Sequence, residues 1–274
     1  MGLFEGKKGL ILGVANDHSI AWHIAQFVMA EGAVCGFTHL PDRPDDERQR
    51  NRRRVAMLTD PAPNAKFLVP LDVNQDADIA RVMDFTEKEI GKIDFLVHSI
   101  AYAPLEDLKG DTMRCSRDGF KTAMETSAYS LLAVTNGAEK IMNDKGSIVT
   151  MTYFGGERAV PGYNVMGVCK AALDACMRYL AYELGPRNIR VNAISAGPLR
   201  TLAGRGAGVD DMLDLYEAMS PLGRNITHEE VGRAAGFLLS DMSDGITGEI
   251  LHVDSGYNIM GSPGRMAEKY RNKI

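Results

Sequence analysis

Short apolar runs recur along the chain with longer amphipathic stretches between them. Runs near Gly9–Leu12, Val34–Thr38, Phe67–Leu71, Phe95–His98, Ser147–Thr152, Val191–Ile194 and Glu249–Val253 have the length of strands. Several are apolar at consecutive positions instead of alternating, which suits a parallel sheet covered on both faces. The segments between carry helical spacing. Ile20, Ile24, Phe27 and Val28 share one helical face, as do Leu173, Cys176, Leu180 and Leu184. Strand alternating with helix implies right-handed βαβ units. The expected fold is α/β, a Rossmann-type doubly wound seven-stranded parallel sheet with helices on both faces. No repeat, low-complexity tract or linker divides positions 1–274, so one domain is expected.

Composition refines this only a little. The chain has 274 residues, 45% hydrophobic and 24% charged, which is ordinary for a globular α/β protein. The net charge of -5 argues against nucleic acid or an anionic membrane as partner. No apolar stretch reaches the ~18 residues of a membrane span, and Gly9–Val14 is too short for a signal peptide. A cytoplasmic location is expected. Cys35, Cys115, Cys169 and Cys176 lack CxxC spacing and are expected to be reduced and buried. The six histidines show no metal-ligand clustering, so no metal is expected. His98 and His252 are expected to be packed or hydrogen-bonded.

In a doubly wound sheet, ligands bind beyond the carboxyl ends of the strands. The first such end reads Gly13-Val14-Ala15-Asn16-Asp17-His18-Ser19-Ile20. G-x-G-x-x-G is absent, yet one glycine leaves the strand and Ser19 stands at the N-cap position of the next helix. A hydroxyl and free backbone N–H groups there suit a pyrophosphate. Asp72-Val73 closes the third strand, where a carboxylate suits an adenine amino group. His98-Ser99-Ile100-Ala101 closes the fourth, where small residues let a ribose approach the backbone. The second strand ends in His39, Leu40, Pro41 and Asp42, followed by Arg43. The run Arg48, Arg50, Arg52, Arg53 and Arg54 reads as a solvated helix face, with a 2′-phosphate site as the alternative. NADH and NADPH both stay open at this point.

The reacting end lies after the fifth strand. Ordinary short-chain dehydrogenases carry Tyr-x3-Lys on a helix with a serine upstream. Counted from Lys170, that tyrosine slot holds Met166 and that serine slot holds Tyr153. Methionine donates no proton, so the carbonyl-reducing arrangement is broken. Tyr163 precedes Lys170 by about two helical turns, an offset of roughly 10 Å. That offset lets a lysine hold the nicotinamide ribose while a tyrosine reaches a carbonyl farther along. A buried lysine would also lower the tyrosine's pKa.

Tyr153…Tyr163-x6-Lys170, the Gly13…Ser19-Ile20 turn, His98-Ser99-Ile100 and Gly197-Pro198-Leu199-Arg200-Thr201-Leu202-Ala203 resemble the NAD(P)H-dependent enoyl-acyl-carrier-protein reductases of bacterial type II fatty-acid synthesis. The resemblance runs from about Gly6 to Gly256. It implies reduction of the 2,3 double bond of an enoyl thioester. Tyr163 would stabilise the enolate, Lys170 would bind the nicotinamide ribose, and Tyr153 would act beside the substrate. Gly13, Ser19, Ile20, Asp72, Val73, Ile100 and Leu199, Arg200, Thr201, Leu202 and Ala203 would line the cofactor, with Ala103 at the substrate. It further implies NADH with NADPH not excluded, a homotetramer, and a flap over the acyl chain at about 200–220. Relatives place lysines or arginines in that flap for the acidic carrier protein. Here Gly204–Met212 holds Arg205 but also Gly208, Asp210 and Asp211. Carrier docking is therefore expected to be weaker, differently placed, or replaced by a coenzyme A thioester. The competing readings are an ordinary carbonyl dehydrogenase and a dinucleotide-binding protein without turnover.

Overall fold

The computed structural model describes residues 2–201 and 209–267. Seven strands form one parallel sheet: β1 (Lys8–Leu12), β2 (Val34–His39), β3 (Ala65–Pro70), β4 (Ile93–His98), β5 (Met142–Thr152), β6 (Arg190–Ala196) and β7 (Ile250–Val253). Their order is β3-β2-β1-β4-β5-β6-β7. All seven runs expected from the sequence are strands, and every pairing is parallel.

The consecutive apolar residues divide between the two faces. Leu10 and Leu12 of β1, Leu96 of β4 and Ile148 of β5 join one core. Ile11, Phe95, Val97, Val149 and Met151 join the other. The first core is closed by α3 (Asp76–Ile90), α6 (Ser130–Ala138) and α7 (Asn164–Leu184), the second by α1 (Ile20–Ala30), α2 (Arg50–Thr59) and α9 (His228–Leu239). A strand buried on both faces needs apolar residues at every position, and this is why these runs do not alternate.

Three further α-helices are α4 (Leu105–Leu108), α5 (Arg117–Met124) and α8 (Val209–Met219). A single π-helical turn, Glu125–Tyr129, joins α5 to α6. No described helix is long and apolar enough to cross a membrane. The four cysteines are free; Cys35 and Cys169 are buried, while Cys115 and Cys176 are half-buried. The segment from Arg265 onward looks polar and loosely held in the sequence, but Arg265 is anchored. Its guanidinium donates to the carbonyls of Ser220 and Pro221 at 3.3 and 3.0 Å.

The sheet order changes direction between β1 and β4. Those two strands run side by side, with Leu12 opposite His98. The crevice beyond their carboxyl ends is where this class of sheet takes its ligands.

Candidate active site

At the end of β1 the chain turns through Gly13 with φ +97°. A Cβ at this position would strike the carbonyl oxygen of Ser99, so the turn rests directly on the backbone leaving β4. Only glycine meets both demands. Ser19, 7% exposed, precedes the first residue of α1, Ile20, but does not cap the helix. Its Oγ accepts from the Ala15 and Asn16 N–H groups at 2.9 and 3.0 Å. The hydroxyl read as a helix cap therefore braces the turn from inside. The tight turn against Ser99 forms a cradle that fits a dinucleotide.

The other strand ends are also defined. One Asp72 carboxylate oxygen accepts from Asn74 N–H at 3.0 Å, giving an Asx turn, and Val73 is buried against the first core. Ile100 is half-buried beside the same core. Leu199 is buried in the second, and its carbonyl accepts from Thr201 N–H at 2.8 Å; Arg200 is exposed. Leu202 and Ala203 lie outside the described residues. At the end of β2, Asp42 caps α2 from a distance, accepting from Asn51 and Arg52 N–H at 2.6 and 3.1 Å. Arg43, Arg50, Arg53 and Arg54 rim an open cleft of about 650 Å³. Arg50 pairs with Asp46 at 3.0 Å, and Arg54 donates to Asn51 Oδ1 at 2.7 Å.

Tyr153 follows the last residue of β5, while Tyr163 stands at the N-cap of α7, just outside the helix that holds Lys170. The two tyrosine rings meet edge to face, with centroids 4.5 Å apart. Gly155 makes this possible, because a Cβ there would overlap the Tyr163 ring. Tyr163 packs on a small cluster of Ala103, Ala123, Val165, Met166 and Cys169. Ala103 and Tyr163, predicted to share the substrate, are thus brought together. Met166, in the tyrosine slot of carbonyl reductases, is buried in this same cluster.

Lys170 lies on the buried stripe of α7 and is 5% exposed. Its Nζ donates to the Met151 carbonyl at 2.7 Å. Burial pushes its pKa down to about 8, against the opposing pull of Asp174. Asp174 is 3% exposed, its pKa is raised by burial, and its Oδ1 has no hydrogen-bond partner. The expected lowering of the tyrosine's pKa by Lys170 does not occur. Burial pushes the Tyr163 phenol well above its usual value, and Tyr153, Cys169 and Asp174 push the same way. Tyr163 is accordingly a neutral hydrogen-bond donor. Burial also pushes Tyr153 up to about 12, and its hydroxyl meets that of Tyr216 at 2.9 Å.

His98, fully buried under this site, bonds Thr150 Oγ1 through Nδ1 at 3.0 Å and Ser130 Oγ through Nε2 at 2.9 Å. Ser130 gives its own proton to the Thr126 carbonyl at 2.7 Å. It must therefore accept from His98, which fixes the proton on Nε2. Burial, then Lys170, pushes the imidazole pKa down to about 3. His98 is a neutral structural bridge. His252 Nε2 lies 2.7 Å from Glu157 Oε1. Among the described residues no group of His, Cys, Asp or Glu is arranged to hold a metal ion.

Three polar residues of this region went unread in the sequence. Asn164 follows Tyr163 in the left-handed region, φ +45°, and donates to the carbonyls of Leu108 and Gly110 at 2.7 and 2.8 Å. It pins the α4 loop to the start of α7. Asn tolerates that conformation better than most residues, but nothing in the spacing marks it. Asp174 carried a signal, since it is an acid one turn after a lysine on an otherwise apolar stripe. Tyr216 carried none.

Comparison with known proteins bears on this geometry. A family model described as Enoyl-(Acyl carrier protein) reductase matches residues 13–258. The chain belongs to that family. An enoyl-[acyl-carrier-protein] reductase [NADH] of Nostoc is 48% identical over 257 residues, covering 93% of this chain and 98% of that protein. The Aquifex aeolicus enzyme of the same name is 45% identical over 270 residues, covering 98% of this chain and 97% of its own. Among solved structures, the Bacillus cereus enoyl-acyl carrier protein reductase with NADP+ and an indole naphthyridinone superposes with TM-score 0.90 at 46% identity. That alignment covers 96% of this chain and all of the other. The Anaplasma phagocytophilum reductase in complex with NAD gives TM-score 0.88 at 45% identity, covering 95% of this chain and 97% of the other.

Proposed function

We propose that this reductase reduces the 2,3 double bond of trans-2-enoyl thioesters with NADH, and that acyl carrier protein delivers them. The carrying observation is the edge-to-face pair of Tyr153 and Tyr163 at the start of the helix that holds buried Lys170. The relatives from Nostoc and Synechocystis are named as NADH enzymes, which supports NADH over NADPH. Bound NADH supplies the hydride that reaches the β-carbon.

The chain's own residues do the rest. Gly13, Ser19 and Ile20 shape the turn for the pyrophosphate, with Asp72 and Val73 at the adenine and Ile100 at the ribose. Leu199, Arg200 and Thr201 lie toward the nicotinamide. Lys170 orients the nicotinamide ribose through its ammonium hydrogens. Tyr163 holds its proton against the thioester oxygen and stabilises the enolate there; it or solvent supplies the final proton. A neutral donor held in place before the reaction needs no reorganisation when charge develops. Tyr153 adds a second hydroxyl, and Ala103 borders the acyl group. Of the flap expected at about 200–220, positions 202–208 lie outside the described residues.

Exposed rings on α7, Tyr179 at 70% and Tyr182 at 84%, give a face suited to the expected homotetramer. Sedimentation tests this.

The central experiment follows reduced-nicotinamide absorbance with crotonyl thioesters of coenzyme A and of acyl carrier protein, using NADH and NADPH. Rapid oxidation of NADH with the carrier-linked substrate is expected. Turnover of simple ketones with no turnover of any enoyl thioester would assign the site to carbonyl chemistry instead.

A further inference from the structure

The hydroxyl pair between Tyr153 and Tyr216 has no task in the roles above. Tyr216 belongs to α8 and is 3% exposed. Its ring stacks on Tyr257, with centroids 3.7 Å apart and planes 13° from parallel. Tyr257 is in turn met edge-on by Phe154 at 5.9 Å and 89°. Phe154 is the chain neighbour of Tyr153. The contacts therefore close a ring: Tyr153 to Tyr216 by a hydrogen bond, Tyr216 to Tyr257 by stacking, Tyr257 to Phe154 edge-on, and Phe154 back to Tyr153 through the chain.

A hydrogen bond between two phenols uses only one of their two protons, so the direction of the bond matters. Among the described residues, the Tyr216 hydroxyl has one hydrogen bond, that to Tyr153 at 2.9 Å. If Tyr153 donated, the Tyr216 proton would be left buried without an acceptor. Tyr216 is the more deeply buried of the two, 3% against 8% exposed, so it has less access to any other acceptor; when it donates, the Tyr153 proton stays available to a substrate. The Tyr153 ring already lies against Tyr163. Accepting one hydrogen bond also polarises the Tyr153 hydroxyl and makes it a better donor.

We propose that Tyr216 is a positioning residue: it donates to the Tyr153 oxygen, and so leaves the Tyr153 hydroxyl oriented to donate to the substrate. This rests on the reading of Tyr153 as a group beside the enoyl thioester. It makes α8 part of the substrate site through a hydrogen bond and not only as a cover.

The test compares Tyr216→Phe, Tyr153→Phe and the double variant with the wild type, using crotonyl-coenzyme A and NADH. Tyr216→Phe keeps the ring and its stack and removes only the proton. It is expected to lower kcat/KM about five- to tenfold, the effect of one hydrogen bond of about 1 kcal/mol, mostly through KM. Melting temperature and NADH affinity stay at wild-type values. Tyr153→Phe should do at least as much, and the double variant no more than Tyr153→Phe alone. Calorimetric binding of crotonyl-coenzyme A to the enzyme with NAD+ reads the same comparison without turnover. An inactive wild type would overturn the reductase reading, whereas the pattern among variants bears on Tyr216. Independent, multiplying losses would overturn the positioning role, as would wild-type KM and binding in Tyr216→Phe. A loss matched by weaker NADH binding or a lower melting temperature would mean packing alone and would overturn it too.

Discussion

The β2–α2 segment and the β5–α7 segment both leave the same edge of the sheet, and both carry cationic side chains. In the first, five arginines fall between Arg48 and Arg54, all exposed, with Arg50 paired to Asp46 and Arg54 to Asn51. In the second, one lysine stands on an apolar stripe, buried, with Asp174 one turn beyond it. A solvated cation gains little from its neighbours, since surface pairs contribute about 0–1 kcal/mol. A buried one depends on each of them and has its pKa moved as a result. Charge density along a chain therefore marks solvent, while an isolated charge in an apolar pattern marks chemistry.

The comparison breaks most sharply at Tyr163. Tyr163→Phe is expected to lower kcat about a hundredfold, the usual loss for one oxyanion donor, while NADH affinity stays constant. Pre-steady-state turnover and direct NADH titration separate the two, and an equal loss of cofactor binding would contradict the role. Next comes Lys170→Met, which keeps the buried stem and removes the charge. NADH binding should weaken about 10- to 100-fold, the range for hydrogen bonds from a charged donor. In the wild type the NADH dissociation constant should rise as pH passes about 8, where the folded protein's Lys170 loses its proton. The variant should show no such step.

His98 sharpens the contrast on stability. Its folded pKa of about 3 lies below the unfolded 6.5, so the unfolded chain binds the proton first. The stability that neutral His98 contributes above pH 6.5 is thus lost as pH falls toward 3. Urea unfolding should show a steeper acid decline for the wild type than for His98→Asn, and parallel curves would refute the assignment. The smallest effect is expected on the exposed helix. Arg53→Gln with Arg54→Gln should change NADH affinity by no more than about twofold, as for ordinary surface substitutions. A tenfold loss for NADPH alone would reassign that cleft to the 2′-phosphate.

What the sequence made legible follows the same division. The seven strands were readable because a doubly covered parallel strand must be apolar at successive positions, as in Leu10-Ile11-Leu12 and Phe95-Leu96-Val97. Tyr163 and Lys170 stood out as candidates by their spacing. The direction of the Tyr163 pKa was not, because spacing reports a lysine nearby but not how much water burial removes. Ser19 was placed at the right residue with the wrong bond, since an N-cap serine and a turn-bracing serine look alike until the turn is folded. Asn164 and Tyr216 act through carbonyls and hydroxyls some 50 or more positions away, at Leu108 and Tyr153, and no local pattern encodes such pairings.

The contact of Gly13 with the Ser99 carbonyl bears on how this site can change over time. The two halves of the crevice are interlocked there at the level of the main chain. A side chain at position 13 would have to be answered by a backbone shift at Ser99. The cluster around Ala103 and Tyr163 is assembled from side chains, which can be exchanged one at a time. That cluster is thus open to single substitutions, whereas the turn at Gly13 drifts only through paired changes, and lineages should retain it longer than the side chains around Tyr163.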